Sequence, residues 1–187
     1  MIEIVAPAAG GKVMNKQSLS SVIVFCLVFA LARCAGVEVY SSDPQVQRVS
    51  NDYFAAELEP QLKAGQSFFT TFGFALTNKT NKELQIDWQN TYYLLNDRRN
   101  GRFLWEGVTW DGLTEIRSKP FIPLAPGDTF TRVIFPKNLV GRASAMSKGG
   151  VQYTQGALPE GENGILLFVR QNGKVVQEKM VVSIESP

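Results

Sequence analysis

Three small groups of side chains in this chain could do chemistry. Glu83 and Asp87 are paired carboxylates of the kind that serve as general acid and base. On a strand, four residues span roughly 13 Å, wider than the carboxylate separations of glycoside hydrolases. They read as solvated sheet residues that alternate with core positions. Trp88, Tyr92, Tyr93, Phe103, Trp105 and Trp110 crowd into 23 residues. Such a cluster packs a core by default, but aromatic faces also grip glycans, small ligands and partner proteins. Adjacent Tyr92 and Tyr93 point to opposite faces of a strand, so one faces outward. Tyr93, Trp105 and Trp110 are the candidate ligand-binding residues. Arg98, Arg99 and Arg102, beside Asp97, read as a solvated hairpin tip. The sharper alternative is a tip that binds phosphate or lipopolysaccharide.

Much else is excluded by composition. The chain of 187 residues has no histidine, which removes Ser-His-Asp and Cys-His catalysis and histidine-ligated metals. Its two cysteines, Cys26 and Cys34, do not make a zinc site, and there is no phosphate-binding loop, dinucleotide-binding glycine motif or EF-hand loop. No catalytic residue, cofactor or metal is expected, and the chain reads as a non-enzyme.

The elements that must position these groups follow from the apolar pattern. Phe54, Ala56 and Leu58 alternate with Ala55, Glu57 and Glu59; Phe68, Thr70, Phe72, Phe74 and Leu76 share one face of a longer strand. Period two marks half-buried strands. Asn78-Lys-Thr-Asn81 is a tight polar link, and Leu84, Ile86 and Trp88 then face one side, which predicts a β-hairpin across the link. Thr91–Leu95 is a third strand from which Arg102–Trp105 returns. Leu113–Arg117 is a weaker strand. Pro120, Pro123 and Pro126-Gly127 belong at edges or in turns. Asp128–Phe135 is strand-like, and a short helix is expected near Leu139–Met146. Asn172-Gly173 between the apolar runs Ile165–Arg170 and Lys174–Ile184 is a strong hairpin signal. The fold expected is an all-β, antiparallel sandwich over 51–187.

Val22–Ala32 is an unbroken apolar run of 11 residues. A membrane-spanning helix needs roughly 20, whereas a signal-peptide core has about 7–15. Residues 1–33 therefore read as a signal peptide, with Met14 a better start than Met1 because Glu3 suits a leader's first segment poorly. Ala30-Leu31-Ala32 fits ordinary signal peptidase. An uncleaved anchor is a third course. Residues 34–50 read as a polar tether. With Lys12, Lys16, Arg33 and Glu3 set aside, 34–187 holds 16 basic and 16 acidic residues. That balance lacks the basic stripe nucleic-acid binding needs.

Two resemblances bear on these residues. Leu31-Ala32-Arg33-Cys34 resembles the bacterial lipoprotein box, whose cysteine becomes the acylated first residue. Arg33 departs from the small residue usual there. Lipidation would account for a lone cysteine at the head of an exported chain. Leu76–Asn81, Ile86-Asp-Trp88, Thr91–Leu94, Asn100-Gly101, Gly107-Val108, Pro123–Gly127 and Phe135-Pro136 resemble a layout in bacterial envelope lipoproteins with immunoglobulin-like sandwiches. The likeness covers roughly 67–140. It implies that fold, a lipid at Cys34 as the membrane contact and an envelope location; Ala35-Gly36 after the cysteine favours the outer membrane. It carries over no active-site residues. The expectation is a non-catalytic module that contacts another envelope protein, or one that binds a glycan or small ligand through its aromatics.

Overall fold

The computed structural model describes residues 38–106, 121–142 and 153–187. In chain order its strands are β1 (Ser41–Asp43), β2 (Gln47–Ser50), β3 (Phe54–Leu62), β4 (Phe69–Asn78), β5 (Leu84–Asp87), β6 (Tyr92–Leu95), β7 (Arg98–Arg99), β8 (Phe103–Trp105), β9 (Phe121–Leu124), β10 (Thr129–Pro136), β11 (Val140–Arg142), β12 (Tyr153–Gln155), β13 (Gly161–Gln171) and β14 (Lys174–Glu185). Every described pairing is antiparallel. One sheet runs β1-β14-β13-β5-β9, with β6 also on β13 and β7 on β6. The other runs β2-β3-β4-β10-β8. A two-stranded ribbon, β11-β12, is separate. The protein is all-β, with antiparallel sheets packed face to face.

The alternating strands meet in one core. Phe54, Ala56 and Leu58 of β3 and Phe72, Phe74 and Leu76 of β4 face Ile165, Leu167 and Val169 of β13 and Met180, Val182 and Ile184 of β14. Burying each large apolar side chain stabilises by about 1.5–3 kcal/mol. All residues of this core lie between Phe54 and Ile184, inside the compact unit Glu38–Pro187. The Asn172-Gly173 hairpin forms as expected: Gln171 pairs with Lys174, and both turn residues have positive φ, 52° and 78°. That is the backbone a two-residue primed turn requires. Pro123 lies on β9, an edge strand, where its missing N–H leaves no gap in a ladder.

Four expectations are corrected. The link at Asn78 does not close a hairpin, because β4 and β5 belong to different sheets. It is an arch over the edge of the core. Asn78 is buried, and its Nδ2 donates to the carbonyls of Lys82, Leu124 and Ala125 at 2.7–3.1 Å. Its Oδ1 accepts from the Thr80 N–H and hydroxyl. That one carboxamide satisfies the backbone groups the arch would leave unpaired. Second, residues 41–50 are not a tether: β1 pairs with β14 and β2 with β3, so the chain joins both sheets before Asn51. Third, Arg102–Trp105 does not return along β6; β8 crosses over to pair with β10. Fourth, the expected helix near Leu139–Met146 is a single 3-10 turn at Lys137–Leu139 followed by β11. The stretch 143–146, Leu113–Arg117 and Pro120 lie outside the described residues.

Candidate functional site

Strands β5 and β6 run in the same direction along one flank of β13, with three extra residues between them. Ile86 pairs with Val169, but Tyr92 pairs with Leu166. The extra residues loop out as a bulge, which flips which side chains face in. Its first residue, Trp88, swings into the core, 5% exposed, against Phe74, Phe130 and Trp105 at centroid distances of 5.6–5.9 Å. Thr91 staples the bulge shut: its hydroxyl donates to the Asp87 carbonyl and accepts from the Phe168 N–H.

Asp87 is not a solvated sheet residue. It is fully buried, and the Arg170 guanidinium reaches one carboxylate oxygen through Nη2 at 2.7 Å and Nε at 2.8 Å. Asn90 donates to the same carboxylate from its backbone and its side chain. Arg170 in turn lies over the Phe121 ring, 5.0 Å from its centre. A carboxylate so fully engaged holds the bulge in place. Glu83 is exposed and accepts from Gln85. The two acids do not converge on one site, and no cluster of three metal-ligating residues forms among the described residues.

Of the three candidate aromatics, Tyr93 and Trp105 lie within the described residues. Tyr93 is fully buried, which corrects its assignment to an outward surface. Its ring meets Phe103 edge-on, and its hydroxyl donates to Asn163 Oδ1. Asn163 Nδ2 donates to the carbonyls of Pro159 and Gly161, so the pair pins the entry to β13. Burial pushes the Tyr93 phenol well above its ordinary range. Trp105 is half-buried against Trp88. Trp110 lies outside the described residues, as does Cys34.

The tyrosine on the outer face is Tyr92. Asn96 and Asp97, with φ of 48° and 62°, turn the chain back so that Arg99 pairs with Leu94 and Arg98 with Leu95. The guanidinium carbons of Arg99 and Arg102 both lie close to the Tyr92 ring, 4.7 and 4.8 Å from its centre. Arg102 Nη2 also donates to the Tyr92 hydroxyl at 3.2 Å, while its Nη1 is buried with no acceptor among the described residues. Asp97, the acid in the turn, is drawn aside by Lys179 at 2.6 Å. Two guanidiniums close to one ring, with exposed Arg98 beside them, gather positive charge at the turn. That arrangement suits oxyanions, since a guanidinium matches phosphate and carboxylate in bidentate fashion. The sequence places Tyr92 in the aromatic cluster and the arginines in a separate group; their proximity depends on the turn geometry. Comparison of the chain with family models, with curated proteins and with solved structures finds no match.

Proposed function

We propose that this protein is a non-catalytic lipoprotein of the bacterial cell envelope, whose immunoglobulin-like sandwich makes contacts with another envelope protein. The observation that carries the reading is the apolar run Val22–Ala32 followed at once by Cys34, with no other cysteine in the chain beyond it. The resemblance of 31–34 to the lipoprotein box makes Cys34 the acylated first residue of the mature protein. Two or more acyl chains hold a protein firmly on a bilayer, where one does so only marginally. The all-β body supports a scaffold role, because its most concentrated polar chemistry, around Asp87 and Asn78, is spent on holding the chain in shape. The outer membrane is the proposed location.

Intact mass of the mature protein recovered from bacterial membranes tests the anchor. The expected product begins at Cys34 and carries a diacylglycerol thioether. An unmodified chain beginning at Arg33 in the soluble fraction overturns it. Crosslinking in intact cells, followed by mass spectrometry of the adduct, tests the protein contact. A single recurrent envelope protein is expected, and adducts no different from those of an unrelated anchored domain would refute the role.

A further inference from the structure

The chain holds three Asn-Gly pairs: Asn100-Gly101, Asn163-Gly164 and Asn172-Gly173. Such a pair can modify itself. The glycine amide nitrogen attacks the asparagine side-chain carbonyl, and no Cβ on the glycine stands in its way. In the unfolded chain the three pairs share one chemistry, but the fold treats them differently. Asn163 is fully buried; its Oδ1 accepts from Tyr93, and its Nδ2 donates to the carbonyls of Pro159 and Gly161 at 2.7 and 2.9 Å. Gly164 lies between Val181 of β14 and Leu94 of β6, so its amide is inside a sheet. Asn100 is half-buried, its N–H donates to the Tyr93 carbonyl at 2.8 Å, and its Oδ1 accepts from Asn138 at 3.0 Å. The Gly101 carbonyl accepts from the Tyr93 N–H, which holds the far side of that pair. Asn172 has none of these restraints. It is exposed at the tip of β13 and β14, and it makes no side-chain hydrogen bond among the described residues, although Gln171 and Lys174 beside it reach Thr80 and Tyr53. The last rung of the ladder joins Gln171 to Lys174, which leaves the Gly173 N–H without a backbone acceptor among the described residues. Nothing lies within 4 Å of the place a Cβ would take on Gly173, so this peptide is open to water.

We infer that Asn172 is a site of spontaneous deamidation, which the fold singles out from three chemically equal candidates. The step balances within the chain and water. The Gly173 nitrogen bonds to Asn172 Cγ and gives up its proton, and the side-chain nitrogen leaves as ammonia. The product is a five-membered cyclic imide. Water then opens one of its two carbonyls, giving either aspartate or isoaspartate, in which the main chain runs through Cγ. The positive φ values at 172 and 173 must relax before the nitrogen reaches Cγ. That requires only the end of a ladder to open, and ends fray at little cost, whereas Asn163 is released only with the core. Isoaspartate adds one atom to the main chain of a turn that fits two residues, and it places a carboxylate two residues from Lys174. The Gln171–Lys174 rung opens as a result, while the rest of the β13–β14 ladder stays paired. None of this depends on a lipid at Cys34.

The test incubates the full-length protein at mildly alkaline pH in water enriched in oxygen-18, folded and, in parallel, in concentrated guanidinium chloride. Peptide mass spectrometry, with fragmentation that separates aspartate from isoaspartate, follows each of the three asparagines. In the folded protein Asn172 is expected to convert with uptake of one heavy oxygen, at least about 100-fold faster than Asn163, where reaction waits for global unfolding. Asn100 falls between them. In the denaturant the three rates converge. The inference is overturned if Asn172 stays an amide in the folded protein while converting in denaturant, or if Asn100 or Asn163 keeps pace with it in the folded protein. The same order and spread of rates in both samples also overturns it, because the selectivity would then belong to the sequence and not to the fold. Amide hydrogen exchange on the converted protein reads the consequence: faster exchange at Gln171 and Lys174 with no change at Val182 is expected, and unchanged exchange at the first two refutes the loss of the rung.

Discussion

Removing Arg170 should damage this protein more than neutralising the acid it serves. The two partners differ in exposure: the Asp87 side chain is fully buried, and that of Arg170 is 40% exposed. Arg170→Met strands a carboxylate in the interior with only the two Asn90 donors left. Breaking a buried pair from this side costs about 3–4 kcal/mol. Asp87→Asn preserves the shape and lets Arg170 turn toward water, so its cost is nearer 1–2 kcal/mol, the range for an impaired hydrogen-bond set. For a domain of this size each kcal/mol moves the melting temperature by about 2–4 °C. The expected falls are therefore about 6–16 °C for Arg170→Met and about 2–8 °C for Asp87→Asn. The double change Asp87→Leu with Arg170→Met should recover most of the loss, since an apolar pair removes the stranded charge. Thermal and urea unfolding followed by tryptophan fluorescence measures all three. If Arg170→Met costs no more than Asp87→Asn, the reasoning from unequal burial is wrong.

Two further tests follow from geometry. The Tyr93 phenol is raised by burial, so the stability it contributes is complete below about pH 10, its unfolded value, and is lost as pH climbs toward the folded value. Absorbance at 295 nm during alkaline titration should show one tyrosine ionising only as the protein unfolds, and Tyr93→Phe should remove that step while costing about 1–2 kcal/mol through the unpartnered Asn163 oxygen. Gly164→Ala should be far worse than Gly173→Ala. A methyl at 164 would run into the Met180 carbonyl and the backbone of Val181, whereas at Gly173 nothing lies within 4 Å and the cost is only that of a positive φ, about 1–2 kcal/mol. Denaturant midpoints check the order, and comparable losses at the two positions would show that the strands part easily.

What could be read in the residues was local. Asn172-Gly173 names its own turn, and the alternation in β3 and β4 names its own buried face. Period two tells which side of a strand is buried but not which strand lies beside it. Leu84 and Ile86 look the same in a hairpin with β4 as in an arch across to β13, so the sequence does not distinguish the two at Asn78. The tyrosines failed for a related reason. In unbroken alternation from Trp88, Tyr93 would face out; the bulge at 88–91 shifts the phase, and Tyr93 goes in. The Asp87–Arg170 pair joins residues 83 apart in sequence, and no short-range signal connects them.

The pairing of β1 with β14 sets how the molecule would respond to mechanical load. Ser41 lies opposite Glu185, and the two strands run away from that shared end in antiparallel register. A pull applied between these points strains the outermost rung alone, then the next, as in opening a zip. Had the strands been loaded from opposite ends, all the rungs would have resisted in shear together. Force transmitted from Ser41 to Glu185 should therefore peel β1 off at low load and leave the β13–β14 ladder standing.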